Sequence, residues 1–336
     1  MGLLSYALSG NLKKFNKKVK EIAKKENISY TKMMFKFLDC FRMLKCGYAD
    51  YLNYELYKKS RAEIKEYVSI NDQDKFYEIV SPSEYKKTFS VKPNFLKTFK
   101  KYINRDFYTN DQSIDKLHSF LKKHDVFMMK QIDGLGGHNV SKVNSKNIDN
   151  IEEFYKKLKK ENLFLEEYVI QNSKINKLCP ASCNTLRIMT FGYNGKSRII
   201  FATLRVGNGI NSVDNFHQGG MGVLVDIETG KLVGNAYDKD LNEYTHHPKT
   251  KIKFDGFQIP NWDKIKDLVL EAALVDKHIH VVGWDVAVLE DGATFIEGNR
   301  RPGFDLVQVL SKRGRKDMMR EILDEINENE GTDYRI

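Results

Sequence analysis

The sequence has little of several features that would define its class directly. Its 336 residues include four cysteines, with no CxxC pair and matching histidines at zinc-ligand spacing. No apolar run approaches the ~20 residues of a transmembrane helix, and the start lacks the pattern of a signal peptide. Neither a P-loop nor a nucleic-acid-binding motif is present. We therefore expect a cytoplasmic protein with reduced thiols that neither spans a membrane nor binds nucleic acid.

Acidic residues are in the minority, because 55 lysines and arginines face 45 aspartates and glutamates and give a formal net charge of +10. Lysines crowd the first 125 residues, as in residues 13–18 and 97–101. Such a balance attracts polyanions, including nucleotides, acidic glycans and anionic membranes. Solvated helix faces explain these lysines most simply. Peripheral association of the basic N-terminal region with an anionic glycan or lipid is the alternative.

Residues 1–88 are predicted to be helical, since apolar residues such as Met34, Phe37 and Phe41 recur at helical spacing. From about residue 89 onward, strands are mixed with helices without regular alternation. Strands are predicted over residues 127–132, 139–143, 163–169, 185–193, 198–206 and 222–227, helices over 149–162 and 262–277, and a hairpin over 281–296. This order predicts an α+β fold with largely antiparallel sheets.

A glycine-rich turn follows the predicted strand that carries Lys130 and precedes another predicted strand. Gly134, Gly136 and Gly137 would let backbone N–H groups approach phosphate oxygens, whose charge Lys130 would offset. The turn is not a Rossmann fingerprint, because a strand and not a helix follows it. An ordinary hairpin turn is the alternative interpretation.

The strongest signal is an apolar hairpin that carries Asp285 in its first strand and Glu297 and Asn299 in its second. Glu297 and Asn299 are two residues apart and share one face of the strand. Burying carboxylates without partners costs free energy, which a bound cation would offset, and oxygen ligands suit Mg²⁺. The alternative is a surface hairpin with Asp285 in solvent.

The turn of this hairpin decides whether the three side chains can act together. A two-residue turn at Asp291-Gly292 would pair Asp285 with Gly298 and point it away from the other two ligands. A three-residue loop or a bulge would bring all three to one face. A shared metal site therefore predicts an odd-length loop.

Two arginines next to apolar strand segments, Arg187 and Arg205, are candidates for holding phosphate or carboxylate groups. His217 precedes a second pair of glycines and is a candidate base or hydrogen-bond donor. Each residue has a structural alternative. The arginines could form ion pairs with Asp214 or Glu297, and the histidine could be a hydrogen-bonded structural residue.

Taken in order from Lys92 to Gln308, these pieces resemble the ATP-grasp superfamily, and within it the branch related to alpha-L-glutamate ligases that is found with sugar-transfer and capsule genes. The resemblance implies two α+β lobes that grip ATP, after a mainly helical N-terminal region. We expect the helical region over residues 1–88, the small lobe over 89–172, and the large lobe with the metal site over 173–336.

The resemblance also implies roles for individual residues. ATP would be bound by Lys92, by Lys130, by the loop with Gly134, Gly136 and Gly137, and by the interlobe hinge Glu166, Glu167, Tyr168 and Val169. Mg²⁺ would be bound by Asp285, Glu297 and Asn299, and the substrate and phosphate region would contain Arg187, Arg205 and His217.

The activity that the resemblance implies is ADP-forming ligation of a carboxylate to an amine through an acylphosphate. The carboxylate would be a small molecule or part of a glycan, such as a uronic acid in capsule or cell-surface polysaccharide synthesis. A kinase that phosphorylates a small-molecule hydroxyl and a non-catalytic nucleotide-binding module are the alternatives.

Overall fold

The computed structural model describes residues 12–132, 140–209, 216 and 219–336. The first part is helical, as predicted, and the helices continue past residue 88. They are α1 Leu12–Lys25, α2 Tyr30–Leu44, α3 Tyr48–Asn53, α4 Arg61–Lys65, α5 Ile70–Val80, α6 Lys87–Ser90 and α7 Lys92–Thr98. Serine side chains accept backbone N–H bonds at the starts of α2, α4 and α5, which satisfies donors that a helix leaves free. Among the described residues, no helix is both long and apolar enough to cross a bilayer.

A four-stranded sheet with two helices follows. Its elements are β1 Phe107–Tyr108, α8 Ile114–Lys123, β2 Val126–Gln131, β3 Val140–Asn144, α9 Ile151–Lys160 and β4 Leu163–Glu167. The strand order is β1-β4-β2-β3, with antiparallel pairing throughout. Leu117 and Phe120 of α8 and Leu158 of α9 pack in one core with Phe127 and Leu165 of the sheet.

A second, seven-stranded sheet contains the predicted hairpin. The elements are α10 Ser173–Leu178, β5 Thr185–Tyr193, β6 Lys196–Val206, β7 Met221–Val225, β8 Leu232–Asp238, β9 Glu243–Tyr244, α11 Trp262–Ala272, β10 Val281–Leu289, β11 Gly292–Asn299, α12 Asp305–Ser311 and α13 Lys316–Glu330. The order β11-β10-β5-β6-β7-β8-β9 is antiparallel at every junction of described strands. The α+β class with antiparallel sheets is thus confirmed.

Helices cover both faces of the large sheet. On one face, α7 and α11 share a core with the apolar side chains of β5, β6 and β10. On the other face, α5, α12 and α13 pack against Met189, Phe191 and Phe201. The N-terminal helices are joined to this sheet by hydrogen bonds as well, since the backbone N–H of His280 donates to the carbonyl of Val80 over 2.8 Å. The helical region therefore packs against the large sheet.

An aromatic cluster holds α7 against the hairpin of β10 and β11. The rings of Trp284 and Phe295 stack with centroids 4.5 Å apart, and Phe99 of the turn after α7 meets Trp284 edge-on at 5.2 Å. The indole N–H of Trp284 donates to the hydroxyl of Thr190 over 2.8 Å, so its one polar group is satisfied. This cluster fixes the position of the strands that carry Asp285 and Glu297.

Replacing Phe99 by alanine should lower the free energy of unfolding by about 3–5 kcal/mol, because the ring is fully buried and its removal leaves a cavity. The same substitution at Phe35, whose side chain is 68% exposed, should change stability by no more than about 0.5 kcal/mol. Urea unfolding of both variants and the parent measures the difference. Equal losses would contradict the role of the cluster.

Candidate active site

A cleft of about 1110 Å³ lies between the two sheets. Its walls come from α7, β2, β4, β5, β6, β10, β11 and the segment after β4. Of the residues proposed from sequence, the cleft is lined by Lys92, Lys130, Glu166, Glu167, Tyr168, Val169, Arg187, Arg205, Asp285, Glu297 and Asn299. Gly134, Gly136, Gly137 and His217 lie outside the described residues.

The hairpin joins the three candidate metal ligands by a bulge and not by its loop. Leu289 pairs with Gly292, so the loop has two residues, and the expectation of an odd-length loop was wrong. The register shifts after Asp285, because Val286 pairs with Phe295 whereas Asp285 pairs with Glu297. One extra residue on β11 thus brings Asp285, Glu297 and Asn299 to one face of the hairpin. A bulge is the second of the two arrangements that the sequence allows.

Asp285 has a buried carboxylate held by two arginines. Arg187 lies directly opposite on β5 and donates through Nε and Nη2, the latter over 3.1 Å, while Nη2 of Arg205 on β6 lies 2.9 Å from Oδ2. Burial alone would raise the pKa of Asp285, but the two guanidinium groups outweigh burial and hold this pKa below its ordinary value. Asp285 is therefore a carboxylate at neutral pH.

The alternative role of Arg187 was an ion pair with Asp214 or Glu297. Arg187 does form an ion pair, but its partner is Asp285. Arg205 also donates to the hydroxyl of Thr185 over 2.7 Å. Both arginine side chains remain partly accessible, at 18% and 12% exposure, and both line the cleft. Their guanidinium charges can therefore attract an anion that enters the cleft.

The pKa of Glu297 is shifted in the opposite direction from that of Asp285. Burial raises its pKa, and the neighbouring Asp285 carboxylate raises it further. The side-chain amide of Asn299 donates to Glu297 over 3.3 Å, so the three oxygen-bearing residues are contiguous. Two coupled carboxylates and an amide oxygen, partly open to a cleft, have the donor chemistry of a site for a hard divalent cation.

A second buried ion cluster lies where the two sheets meet. Glu166 on β4 pairs with Lys130 on β2 and with Arg105, which follows the helical region. Burial would raise the pKa of Glu166, but these two cations bring it to about 2. Arg105 also donates to the hydroxyl of Thr294 over 2.9 Å and to the carbonyl of Phe295. It therefore links the small sheet to the hairpin of the large one.

The other residues expected to form the hinge differ in their contacts. The carboxylate of Glu167 accepts the backbone N–H of Asp106 over 2.9 Å, and Lys142 lies 4.1 Å from the ring centroid of Tyr168. Ile170, just beyond Val169, is 78% exposed and lines the cleft. This stretch offers an apolar surface at the rim. On the opposite side, the ammonium of Lys92 donates to the carbonyl of Gln131 over 3.3 Å.

Arg105 was not among the site residues proposed from sequence, because its partners Glu166, Thr294 and Phe295 lie far from it along the chain. A group of Asp106, His124 and Glu167 also offers metal-ligating atoms close together. There the ammonium of Lys123 already pairs with Asp106, and His124 lies 2.9 Å from the same oxygen. Internal ion pairs explain this group.

Comparison with solved structures gives distant matches, among them these three. The ligase PsnB, in complex with a phosphomimetic precursor variant, Mg and ADP, is 13% identical with a TM-score of 0.43, over 74% of this chain and 62% of that one. D-alanine–D-alanine ligase from Bacillus anthracis is 14% identical with a TM-score of 0.41, over 73% and 70%. N5-carboxyaminoimidazole ribonucleotide synthetase from Thermotoga maritima is 11% identical with a TM-score of 0.42, over 77% and 57%.

The match spans less than two thirds of the PsnB chain. No curated protein sequence matches this one. The model of the family described as sugar-transfer associated ATP-grasp, by contrast, matches residues 52–324. That match begins well before Lys92, where the resemblance noted from sequence begins, and takes in part of the helical region. Because it covers most of the chain, the protein belongs to the sugar-transfer associated ATP-grasp family.

Proposed function

We propose that this protein is an ATP-dependent carboxylate–amine ligase that forms ADP and passes through an acylphosphate. The observation that carries the proposal is the row of Glu297, Asp285 and Arg187 across adjacent strands, with Arg205 beside it, at the floor of the cleft. This row combines ligands for a cation with donors for phosphate in one place. Such positioning and charge neutralisation are what phosphoryl transfer requires of a protein.

Asp285, Glu297 and Asn299 would hold Mg²⁺. A cation held there would offset the negative charge that develops on the phosphate oxygens. The donor set fits, because all three side chains offer oxygens and Glu297 is held close to a second carboxylate that raises its pKa. A cation bound between the two carboxylates would offset their mutual repulsion, and this is the physical reason to expect a metal here.

The nucleotide would lie along the cleft, with its phosphates near Lys92 and Lys130 and its base against the rim formed by Tyr168, Val169 and Ile170. Glu166 would then orient the Lys130 ammonium through their ion pair. From sequence alone, we assign the loop with Gly134, Gly136 and Gly137 to covering the phosphates. A closed loop would exclude water, which protects an acylphosphate from hydrolysis.

The reaction would have two steps. A carboxylate oxygen of the substrate attacks the γ-phosphorus, and the bond to the β–γ bridging oxygen breaks and releases ADP. An amine nitrogen then attacks the acyl carbon, releases phosphate and loses a proton, for which His217 is the candidate base. The positive charges of Arg205 and Arg187 would stabilise the transferring phosphoryl group. No covalent intermediate on the protein is needed.

We infer a carboxylate on a sugar, such as a uronic acid, as the substrate class. The family's association with sugar transfer supports this choice. The reaction would then belong to the synthesis of capsule or cell-surface polysaccharide and take place in the cytoplasm.

The test is ADP release from Mg-ATP with pooled sugar and amino-acid carboxylates, and with hydroxylamine as a surrogate amine. A ligase gives carboxylate-dependent ADP together with a hydroxamate. ADP formation that depends on a sugar hydroxyl and gives no hydroxamate would indicate a kinase. ATP binding without turnover in any pool would contradict the ligase assignment in favour of a binding module.

Glu297→Gln should abolish Mg²⁺-dependent stabilisation while making the metal-free protein more stable at neutral pH. The pKa of Glu297 lies above its ordinary value of 4.5 in the folded state. Ionisation of Glu297 therefore costs stability as the pH rises through that raised pKa, and the amide removes this cost. Thermal melts with and without Mg²⁺, at several pH values between about 4 and 8, measure both effects.

Asp291→Asn is the matched control, because Asp291 is 89% exposed in the turn of the same hairpin. It should leave both the Mg²⁺ response and the pH response as in the parent. If Mg²⁺ raised the melting temperature of Glu297→Gln as much as that of the parent, this metal site would be excluded.

Lys130→Met should lower kcat/KM for ATP by about 10²–10³-fold, the usual loss when one preorganised donor to a developing charge is removed. Arg105 still pairs with Glu166 in this variant, so the fold should survive, as a thermal melt can confirm. The control is Lys123→Met, since Lys123 is 67% exposed and pairs with Asp106 outside the cleft. Similar kinetics for both variants would refute the role of Lys130.

A further inference from the structure

The positive charge of the chain is concentrated at its helical start. Residues 12–45 contain eleven lysines and arginines against three acidic residues, an excess of eight where the whole chain has ten. These residues form α1 and α2, two helices joined by a short turn. The metal and nucleotide cleft does not include them. The proposed ligase chemistry therefore leaves this charge unexplained.

Helix α2 has two opposite faces. The inner face, with Met33, Phe37, Cys40 and Leu44, is buried in the core of the helical region. The outer face carries Thr31, Phe35, Leu38 and Arg42 at spacings of three and four residues. Phe35 is 68% exposed and Leu38 is 44% exposed. Of the large apolar residues described outside the cleft, Phe35 is the most exposed.

Cations lie along both helices. The ammonium of Lys20 on α1 lies 5.9 Å from the ring centroid of Tyr30, and that of Lys45 lies 5.7 Å from the ring of Phe41. Lys13, Lys17 and Lys24 are exposed along α1. The one acidic residue of α2, Asp39, is bound by both branches of Arg61, at 2.9 and 2.7 Å. The outer faces of the two helices thus carry exposed apolar side chains as well as exposed cations.

We propose that this basic hairpin surface, made of the outer faces of α1 and α2, docks on an anionic lipid bilayer. Phe35 and Leu38 would enter the boundary between headgroups and acyl chains, and the exposed lysines of α1 and Arg42 of α2 would contact acidic headgroups. A soluble polyanion would satisfy the lysines but would gain nothing from two exposed apolar side chains. The combination therefore favours a membrane over an acidic glycan or a nucleic acid.

The test is co-sedimentation of the full chain with vesicles of phosphatidylcholine alone or mixed with phosphatidylserine at about 30%, near physiological salt. We expect binding only to the anionic vesicles. Phe35→Ser/Leu38→Ser and Lys13→Gln/Lys17→Gln/Lys24→Gln should each weaken it at least about tenfold. The control, Lys156→Gln/Lys157→Gln/Lys160→Gln, removes the same charge from exposed positions of α9 and should bind as the parent does.

Two results would overturn the proposal. One is the absence of binding to anionic vesicles by the parent protein. The other is binding that Phe35→Ser/Leu38→Ser leaves unchanged and a soluble polyuronate removes, because the surface would then recognise polyanions in general. Hydroxamate formation by the variants, measured without vesicles, separates a docking defect from damage to the proposed active site.

Discussion

The burial of one charged carboxylate, that of Asp285, determines how the large sheet is built around the cleft. An ionised carboxylate removed from water costs several kcal/mol unless it is well paired. Arg187 lies opposite it on β5, and Arg205 reaches it from β6, so the pairing depends on the strand order β11-β10-β5-β6. The bulge then places Glu297 on the other side of Asp285. A carboxylate with cations on one side and a second carboxylate on the other is a natural place for a metal ion.

Arg105 extends this arrangement to the second sheet. It joins Glu166 of the small sheet, which also pairs with Lys130, to Thr294 and Phe295 of the hairpin. Any movement between the sheets must either carry this side chain along or break a buried ion pair, and removing one partner of such a pair is strongly destabilising. The Arg105–Glu166 contact is therefore a fixed point, and closure over a nucleotide would occur around it. Lys130 pairs with the same Glu166 carboxylate and lines the cleft.

Much of the fold could be predicted because its strands are apolar and bounded by turns. The segment Thr185–Tyr193 has the predicted bounds, whereas Leu232–Asp238 was missed because a glycine and an asparagine interrupt its apolar pattern. The candidate ligands were recognisable as polar side chains in an apolar hairpin. The bulge that unites them was considered but not chosen, since register depends on packing against α7 and β5 that no local pattern encodes. The Arg105 contacts join residues more than sixty positions apart and had no signal in the sequence.

The central claim is that Asp285, Glu297 and Asn299 hold the metal of a nucleotide complex. Anomalous diffraction from crystals grown with Mn²⁺ and a non-hydrolysable ATP analogue tests it most directly. The structure leads us to expect one manganese peak within bonding distance, roughly 2.0–2.4 Å, of oxygens from these residues and from the phosphates. A nucleotide in the cleft with no manganese at the hairpin, or with manganese at Asp106 and Glu167, would contradict it.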